Sequence, residues 1–329
     1  MFTNEFWDNF VNEYWDKKPT CFKNTGFVPV SEINALMLFH TLVTQMATGN
    51  GNVPVRVYGN GNALSKEYVA PLMSMDLSQV SSFKDLIRKT HAALNLDNFG
   101  VIIDNVGKLD YAIQDRIAQF ISPLVNRIGL PAKQTEIGIF GGSYKKTPFG
   151  IHRDIGNDNF TFGIVGEKRF LLWPPEYFDD MKAQRQGYIL NRDGLNDERI
   201  YCDEASYQRF KRDAISLTIK PGDVMYWPDW WHTADNEPGE IQLTLSLGLW
   251  RQVNLANFAS DLMNRALQQK LNDNVIHRHY CENTENLPKV FDSLLSDVKA
   301  LIENGEFEAM INHWWKDRFS RKGFLDPNQ

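Results

Sequence analysis

His152 and Asp154 stand at positions i and i+2 in Ile151-His152-Arg153-Asp154, and His232 follows far downstream at the end of Trp227-Pro228-Asp229-Trp230-Trp231-His232. Two imidazoles and one carboxylate occupy one face of an octahedral ion and leave the other open, which is how non-haem Fe(II) centres take up oxygen and a co-substrate. In an extended backbone, residues i and i+2 project from the same face, so His152 and Asp154 can enter one cavity while the third ligand arrives from another strand. His-x-Asp alone is weak, because the chain has seven His and an Asp between Arg153 and Asn159 can equally cap backbone donors in a turn. His232 alone also reads as a half-buried histidine beside Trp231. The pairing of the two halves raises the metal site above both readings. His40, His91, His277, His279 and His313 fall in helix-like segments and read as structural.

Lys168 adds a second chemical element. It shares strand parity with Phe170 and Leu172 in Lys168-Arg169-Phe170-Leu171-Leu172-Trp173. A lysine directed among apolar side chains is costly unless an anion meets it, and a dicarboxylate co-substrate supplies that anion. On the opposite face it is an ordinary solvated charge. Tyr144, Phe149, Trp227, Trp230 and Trp231 can line a substrate entrance or pack core and rim.

These residues need strands to hold them, and the texture from Gln134 supplies strands. Glu136 to Phe140, Phe160 to Val165, Lys168 to Trp173, Ile215 to Lys220, Val224 to Trp227 and Ile241 to Trp250 are short apolar runs separated by turns. This pattern indicates a sandwich or barrel. Pro221-Gly222-Asp223 introduces the strand before His232. The longest interruption, Glu176 to Asp213, carries Gly187 and Asp193-Gly194 and reads as a surface excursion with some helix.

Ahead of the β core, Phe2, Phe6, Phe10 and Tyr14 form one helical stripe. Ser31 caps a helix through Leu36, Phe39 and Val43, and Val53, Val55 and Val57 alternate as a strand before the Asn60-Gly61 turn. Ser82 opens another helix, Phe99 to Ile103 is a short buried strand, and a helix lies near Asp110 to Ile121. Beyond Trp250 two amphipathic stripes appear, Leu255-Phe258-Leu262-Ala266 and Val290-Phe291-Leu294-Val298-Leu301, which pack on the core or on a second copy of the protein. The expected organisation is 1–133 as helices and strands packing on the core, 134–250 as the catalytic core with its 176–213 insertion, and 251–329 as a helical region with a homodimer as one use.

The chain has 329 residues, is 43% hydrophobic, and can bury a sizeable core. A net charge of -6 gives no electrostatic ground for nucleic-acid binding. Cys21, Cys202 and Cys281 form neither a disulfide framework nor a CxxC site, which fits a reducing, cytoplasmic location. No apolar run approaches the ~18 residues needed to span a bilayer, and Met1 to Trp15 lacks the basic start and apolar run of a signal peptide.

With these residues in place, the sequence resembles the JmjC-type, cupin-fold Fe(II) and 2-oxoglutarate-dependent oxygenases. The resemblance is carried by the block His152 to Pro175, with HxD, Asn159-Phe160 and GEKRFLLWPP, and by PGDVMYWPDWWH, both similar to asparaginyl hydroxylases of that family. Glu13-Tyr14-Trp15-Asp16-Lys17-Lys18-Pro19 is similar to the opening of its ribosomal oxygenases. The resemblance covers residues 134 to 250. It implies a mainly β core, a double-stranded β-helix (cupin or jelly-roll), with N-terminal α/β decoration and C-terminal α-helices.

The resemblance further implies that His152, Asp154 and His232 ligate Fe(II), that Lys168 pairs with the distal carboxylate of 2-oxoglutarate, and that Asn159 lies near its proximal carboxylate. Thr147 corresponds to a threonine on the distal carboxylate, though it precedes the first ligand by a longer spacing than the family's, and Ser246 stands where the asparaginyl hydroxylases have an Asn. The implied reaction uses O2 and 2-oxoglutarate, releases succinate and carbon dioxide, and hydroxylates a C–H bond in a protein, peptide or amino-acid side chain. N-demethylation by the same chemistry, hydroxylation of a small natural product, a cupin isomerase or dioxygenase with another metal, and a non-catalytic metal-binding cupin are the competing readings. Lys168 argues against the last, since a metal binder needs no buried cation there.

Overall fold

A computed structural model describes residues 2–48, 55–132, 135–147, 150–191, 197–251 and 289–317, together with 259, 260 and 263. The N-terminal part runs α1 (Asn4–Glu13), β1 (Thr20–Phe22), α2 (Glu32–Thr48), β2 (Val55–Gly59), β3 (Asn62–Ala63), α3 (Lys66–Val69), α4 (Phe83–Leu94), β4 (Phe99–Ile103), α5 (Val106–Leu109) and α6 (Tyr111–Ile128). There follow β5 (Glu136–Gly142), β6 (Ile151–Asp154), β7 (Asn157–Val165), β8 (Lys168–Trp173), α7 (Asp179–Gln184), β9 (Tyr188–Asn191), β10 (Asp197–Ile200), α8 (Glu204–Asp213), β11 (Ile215–Ile219), β12 (Val224–Trp227), β13 (Trp231–Ala234) and β14 (Gln242–Trp250).

The strands form two antiparallel sheets, of eight strands in the order β1-β12-β7-β14-β5-β4-β2-β3 and of six in the order β11-β8-β13-β6-β10-β9. Their inner faces meet, since Phe170 of the smaller sheet packs on Trp227 of the larger at 5.1 Å between ring centroids. Two facing antiparallel sheets with helices outside are the jelly-roll expected from the sequence. The sheets are tied at Gly163, where an added Cβ would lie 2.0 Å from the carbonyl oxygen of Lys220. Only glycine permits that approach of backbone to backbone.

Helix patterning explains how the outer faces are covered. The Phe stripe of α1, together with Trp7 at its other side, packs on β7 and α6: Phe10 meets Phe160 at 5.6 Å, and Phe120 of α6 meets Phe162 at 5.1 Å. Trp7, Phe10, Phe160 and Phe162 are buried, and each such side chain stabilises the fold by roughly 1.5–3 kcal/mol. Ser31, Ser82 and Asp110 accept helix N-terminal backbone bonds, as their sequence positions predict. The helix expected near Asp110 to Ile121 runs on to Ile128 through Pro123, carried by Leu124 and Val125 in the core. On the smaller sheet, Trp173, Phe178, Phe210 and Trp231 make the cluster under α7 and α8.

Two expectations are corrected. The stretch 176–213 is not only a helical excursion: β9 and β10 join the six-stranded sheet, and β10 pairs with β6 over Asp197↔Asp154 and Arg199↔His152. Its charged sequence, Asp197-Glu198-Arg199-Ile200, hides a strand paired on both sides, by β6 and by the edge strand β9, without the apolar and polar alternation that marks a strand in sequence. Residues 1–133 are also part of the sheet system, because β1 pairs with β12 and β4 with β5. Residues 1–251 form one compact unit and 252–329 a second.

In that second unit the helices Lys289–Glu303 and Glu306–Asp317 are joined through Gly305, whose positive φ of 71° suits a helix end. The expected stripe Leu255-Phe258-Leu262-Ala266, and also Val53, Phe149, Asp193-Gly194, His277, His279 and Cys281, lie outside the described residues. Among the described residues no helix is long and apolar enough to cross a membrane.

Candidate metal centre and active site

The register of β6 and β13 assembles the three candidate ligands. His152 of β6 and His232 of β13 are directly paired, with ring centroids 4.1 Å apart. Asp154 reaches the same space by strand parity, its Oδ2 3.9 Å from His232 Nε2. One ligand atom from each of the three lies within 4.8 Å of the others. An ion held about 2.1 Å from nitrogen and oxygen ligands spans such separations.

The imidazoles are oriented from behind. His152 Nδ1 donates to the carbonyl of Gly150 at 3.3 Å and His232 Nδ1 to that of Trp230 at 3.1 Å. A carbonyl only accepts, so each Nδ1 carries the proton and each Nε2 offers its lone pair. Burial holds both rings neutral: His152 is held well below the ordinary histidine range by desolvation and then by neighbouring His232, and His232 is lowered to about 4, chiefly by desolvation. Neutral imidazoles are what a metal ion requires.

Asp154 is pushed the other way, to about 7, first by burial and then by Glu136, Asp197 and Asp229, with the Asn159 side-chain hydrogen bond opposing. A buried carboxylate among three other acids is unfavourable by itself and is stabilised by a divalent cation. The donor set of two neutral imidazoles and one carboxylate therefore fits Fe(II), which these three residues would hold.

Lys168 lies deeper between the sheets and is buried. Its Nζ reaches across to Thr244 Oγ1 of β14 at 3.4 Å and sits 4.9 to 5.7 Å from the ring centroids of Phe170, Phe140 and Tyr144. Among the described residues no carboxylate pairs with it. An ammonium in this setting fits an incoming anionic group.

The other sequence candidates fall along the same channel. Asn159 of β7 hydrogen-bonds to the Asp154 carboxyl. Ser246 of β14 lies between the levels of Asn159 and Lys168, its Oγ 2.9 Å from Thr161 Oγ1. Thr147 Oγ1 accepts the Ala234 N–H at 2.9 Å and borders a small pocket shared with Phe140, Tyr144 and Tyr58. Its hydroxyl thus pins the end of β13 and keeps its own proton for another acceptor.

Of the aromatic residues, Trp227 stands inside the barrel against His232 at 5.0 Å, and Trp230 packs on the cluster around Phe170 and Met225. Trp231 takes the packing alternative: it faces outward from β13, fully buried against Phe178, with its indole donating to Pro175 O. Strand alternation forces this, since its neighbour His232 points in.

Sequence reasoning missed the residues supplied by β10. Asp197 and its neighbour Arg199 (Nε to Asp197 Oδ2, 2.6 Å) stand across the strand pair from Asp154 and His152, and Glu136 of β5 acts with Asp197 to raise the Asp154 carboxyl. Thr244 was missed as well, although its parity with Ser246 on β14 would have found it.

Comparison with known proteins follows the same lines. Over 121 residues the protein is 29% identical to the bifunctional lysine-specific demethylase and histidyl-hydroxylase NO66 of Drosophila persimilis, a stretch covering 32% of this chain and 17% of that protein. The matched stretch is thus under a fifth of the relative's length. Among solved structures it is similar to Escherichia coli YcfD, at 17% identity and a TM-score of 0.46, covering 97% of this chain and 73% of that one. It is likewise similar to YcfD, described as a ribosomal oxygenase, in complex with cobalt and 2-oxoglutarate, at 17% identity and a TM-score of 0.43, covering 94% of this chain and 70% of that one. The Cupin-like domain family matches residues 11–321, nearly the whole sequence, and this protein belongs to that family.

Proposed function

We propose that this protein is an Fe(II)- and 2-oxoglutarate-dependent oxygenase that hydroxylates a C–H bond in the side group of a protein residue, peptide residue or amino acid. The observation that carries the reading is the combination of His152, Asp154 and His232 at one end of the barrel with a buried Lys168, free of any carboxylate among the described residues, further in. Held by His152, Asp154 and His232, Fe(II) would supply, with O2 and 2-oxoglutarate, the oxidative chemistry that yields succinate, carbon dioxide and a hydroxylated substrate carbon.

The protein's own residues do the positioning. Lys168 and Thr244 receive the distal carboxylate and fix how deep the co-substrate sits. Phe140, Phe170 and Trp227 exclude water from the channel, which strengthens that charge pair. The bonds to Gly150 O and Trp230 O hold the imidazoles in the ligating tautomer, and Asn159 orients Asp154.

Across the strand pair from Asp154, Asp197 Oδ1 is buried with no hydrogen-bond partner, and Glu136 adds a second carboxylate that acts on Asp154. Such carboxylates favour a substrate group bearing N–H donors. The similarity to a protein named as both demethylase and histidyl-hydroxylase supports N-demethylation as the second reading, since hydroxylating an N-methyl carbon releases formaldehyde.

Purified protein with Fe(II), ascorbate and 2-oxoglutarate is expected to form succinate, and His152→Ala and Asp154→Ala are expected to abolish it. Full turnover in both variants would refute the ligand assignment. Formaldehyde in the product mixture separates the second reading from the first.

A further inference from the structure

Arg153 lies between two ligands on β6 and projects to the opposite face of that strand. Its guanidinium grips Asp229 at both oxygens, Nε to Oδ1 at 2.6 Å and Nη2 to Oδ2 at 3.2 Å, and its Nη1 is 3.4 Å from Glu198 of β10. Asp229 Oδ2 also accepts the backbone N–H of Gly156 at 2.9 Å, and Arg251 Nη2 stands 3.7 Å from the same oxygen. Arg251 in turn donates its backbone N–H to Gly156 O at 2.8 Å. The Arg153 and Asp229 side chains are only 18% and 12% exposed.

One carboxylate thus joins three segments: the strand with His152 and Asp154, the turn after it, and the loop leading into His232. The backbone does little of this work. Strands β6 and β13 share a single register pair, His152↔His232, so the hydrogen-bond ladder between them is too short to fix their relative tilt. A bidentate guanidinium–carboxylate pair has defined distance and plane, and it bridges the two ligand segments on the face of β6 opposite His152 and Asp154.

We infer that the Arg153–Asp229 pair is a positioning device that sets the separation and orientation of the two ligand segments, so that metal affinity depends on side chains outside the ligand set. This inference rests on the triad holding a divalent ion. Lysine cannot replace Arg153, because a point charge does not hold both oxygens of Asp229 in one plane. Outer groups that orient ligands typically change metal affinity 10- to 100-fold when altered.

The test uses the full-length protein and Co(II) as the probe, with affinity read by calorimetry and ligand geometry by the visible absorption of the bound ion. Arg153→Lys and Asp229→Asn are each expected to weaken Co(II) binding about tenfold or more and to change the absorption spectrum. The double variant is expected to be no weaker than the weaker single variant, because both substitutions break the same link. Arg56→Gln, which breaks a comparable bidentate pair with Asp104 elsewhere, is expected to leave Co(II) binding unchanged.

Circular dichroism establishes that each variant is folded, and Arg153→Lys, which keeps the charge, carries the test should Asp229→Asn not fold. Co(II) affinity within twofold of wild type and an unchanged spectrum in folded Arg153→Lys would overturn this inference alone. Failure of the wild type to take up Co(II) would overturn the metal reading and this inference with it.

Discussion

An ammonium enclosed by Phe140, Tyr144 and Phe170, with the Thr244 hydroxyl its one hydrogen-bond partner among the described residues, lacks the solvation that a lysine normally keeps. A carboxylate arriving at Lys168 replaces that solvation with a charge-assisted bond worth about 1.5–3 kcal/mol, or roughly 10- to 100-fold in affinity. Lys168→Ala is therefore expected to raise the 2-oxoglutarate concentration required for half-maximal succinate formation by about that factor, measured in a steady-state titration. An unchanged requirement would remove Lys168 from the role. Its inward direction was legible from parity with Phe170 and Leu172. Its hydroxyl partner was not, because the pairing runs between sheets and no local spacing encodes it.

Between elements, Asp235 is the clearest case of electrostatics holding the fold in place. Just past β13, this buried carboxylate meets Arg169 at 2.8 Å, Lys211 of α8 at 2.5 Å and the Tyr207 hydroxyl at 3.1 Å, tying α8 to the smaller sheet. Burial alone would raise its pKa, but Lys211, Arg169 and Tyr207 outweigh burial and hold it below the ordinary value of 3.8. A carboxylate whose folded pKa is depressed contributes stability above the unfolded value and loses it as pH falls through the folded one. Asp235→Asn is expected to cost on the order of 2 kcal/mol at pH 7, below the usual figure for a broken buried pair because Arg169 and Lys211 reach solvent. Thermal melts at pH 7 and pH 3 check this: the gap between variant and wild type should narrow at the lower pH, and a constant gap would contradict the ion-pair origin.

At the rim, Gly248 lies under Asn157, and an added Cβ would fall 2.8 Å from Asn157 Nδ2. Gly248→Ala is expected to displace that amide toward the triad and lower the rate of succinate formation several-fold while the melting temperature changes little, which activity and calorimetry together would detect.

For the molecule as a whole, the N-terminal helix is a structural part of the barrel. Removing residues 1–27 would strip Trp7 and Phe10 from Phe160 and Tyr226 and delete β1 from its pairing with β12. The shortened protein is expected to aggregate on expression, and a soluble, cooperatively melting product would contradict the packing described. The Phe stripe of this helix was legible because a period of four is a local property of the sequence.

The β core was legible for the same reason wherever strands are apolar, as in Lys168–Trp173 and Val224–Trp227, whose limits the structure reproduces. It was not legible at Asp197–Ile200, where a charged strand carries no apolar alternation and only pairing with β6 and β9 makes it a strand. The ligand triad was visible as residue types and spacing. Its acidic surroundings and the Arg153–Asp229 link were not, because both arise from segments that meet only after folding.

The account stands most directly on a calorimetric titration of 2-oxoglutarate into the Co(II)-loaded protein. It predicts saturable binding at one site per protomer, lost without metal and lost in Asp154→Ala. Binding of equal strength in the metal-free protein or in that variant, or no binding to the loaded protein, would contradict it.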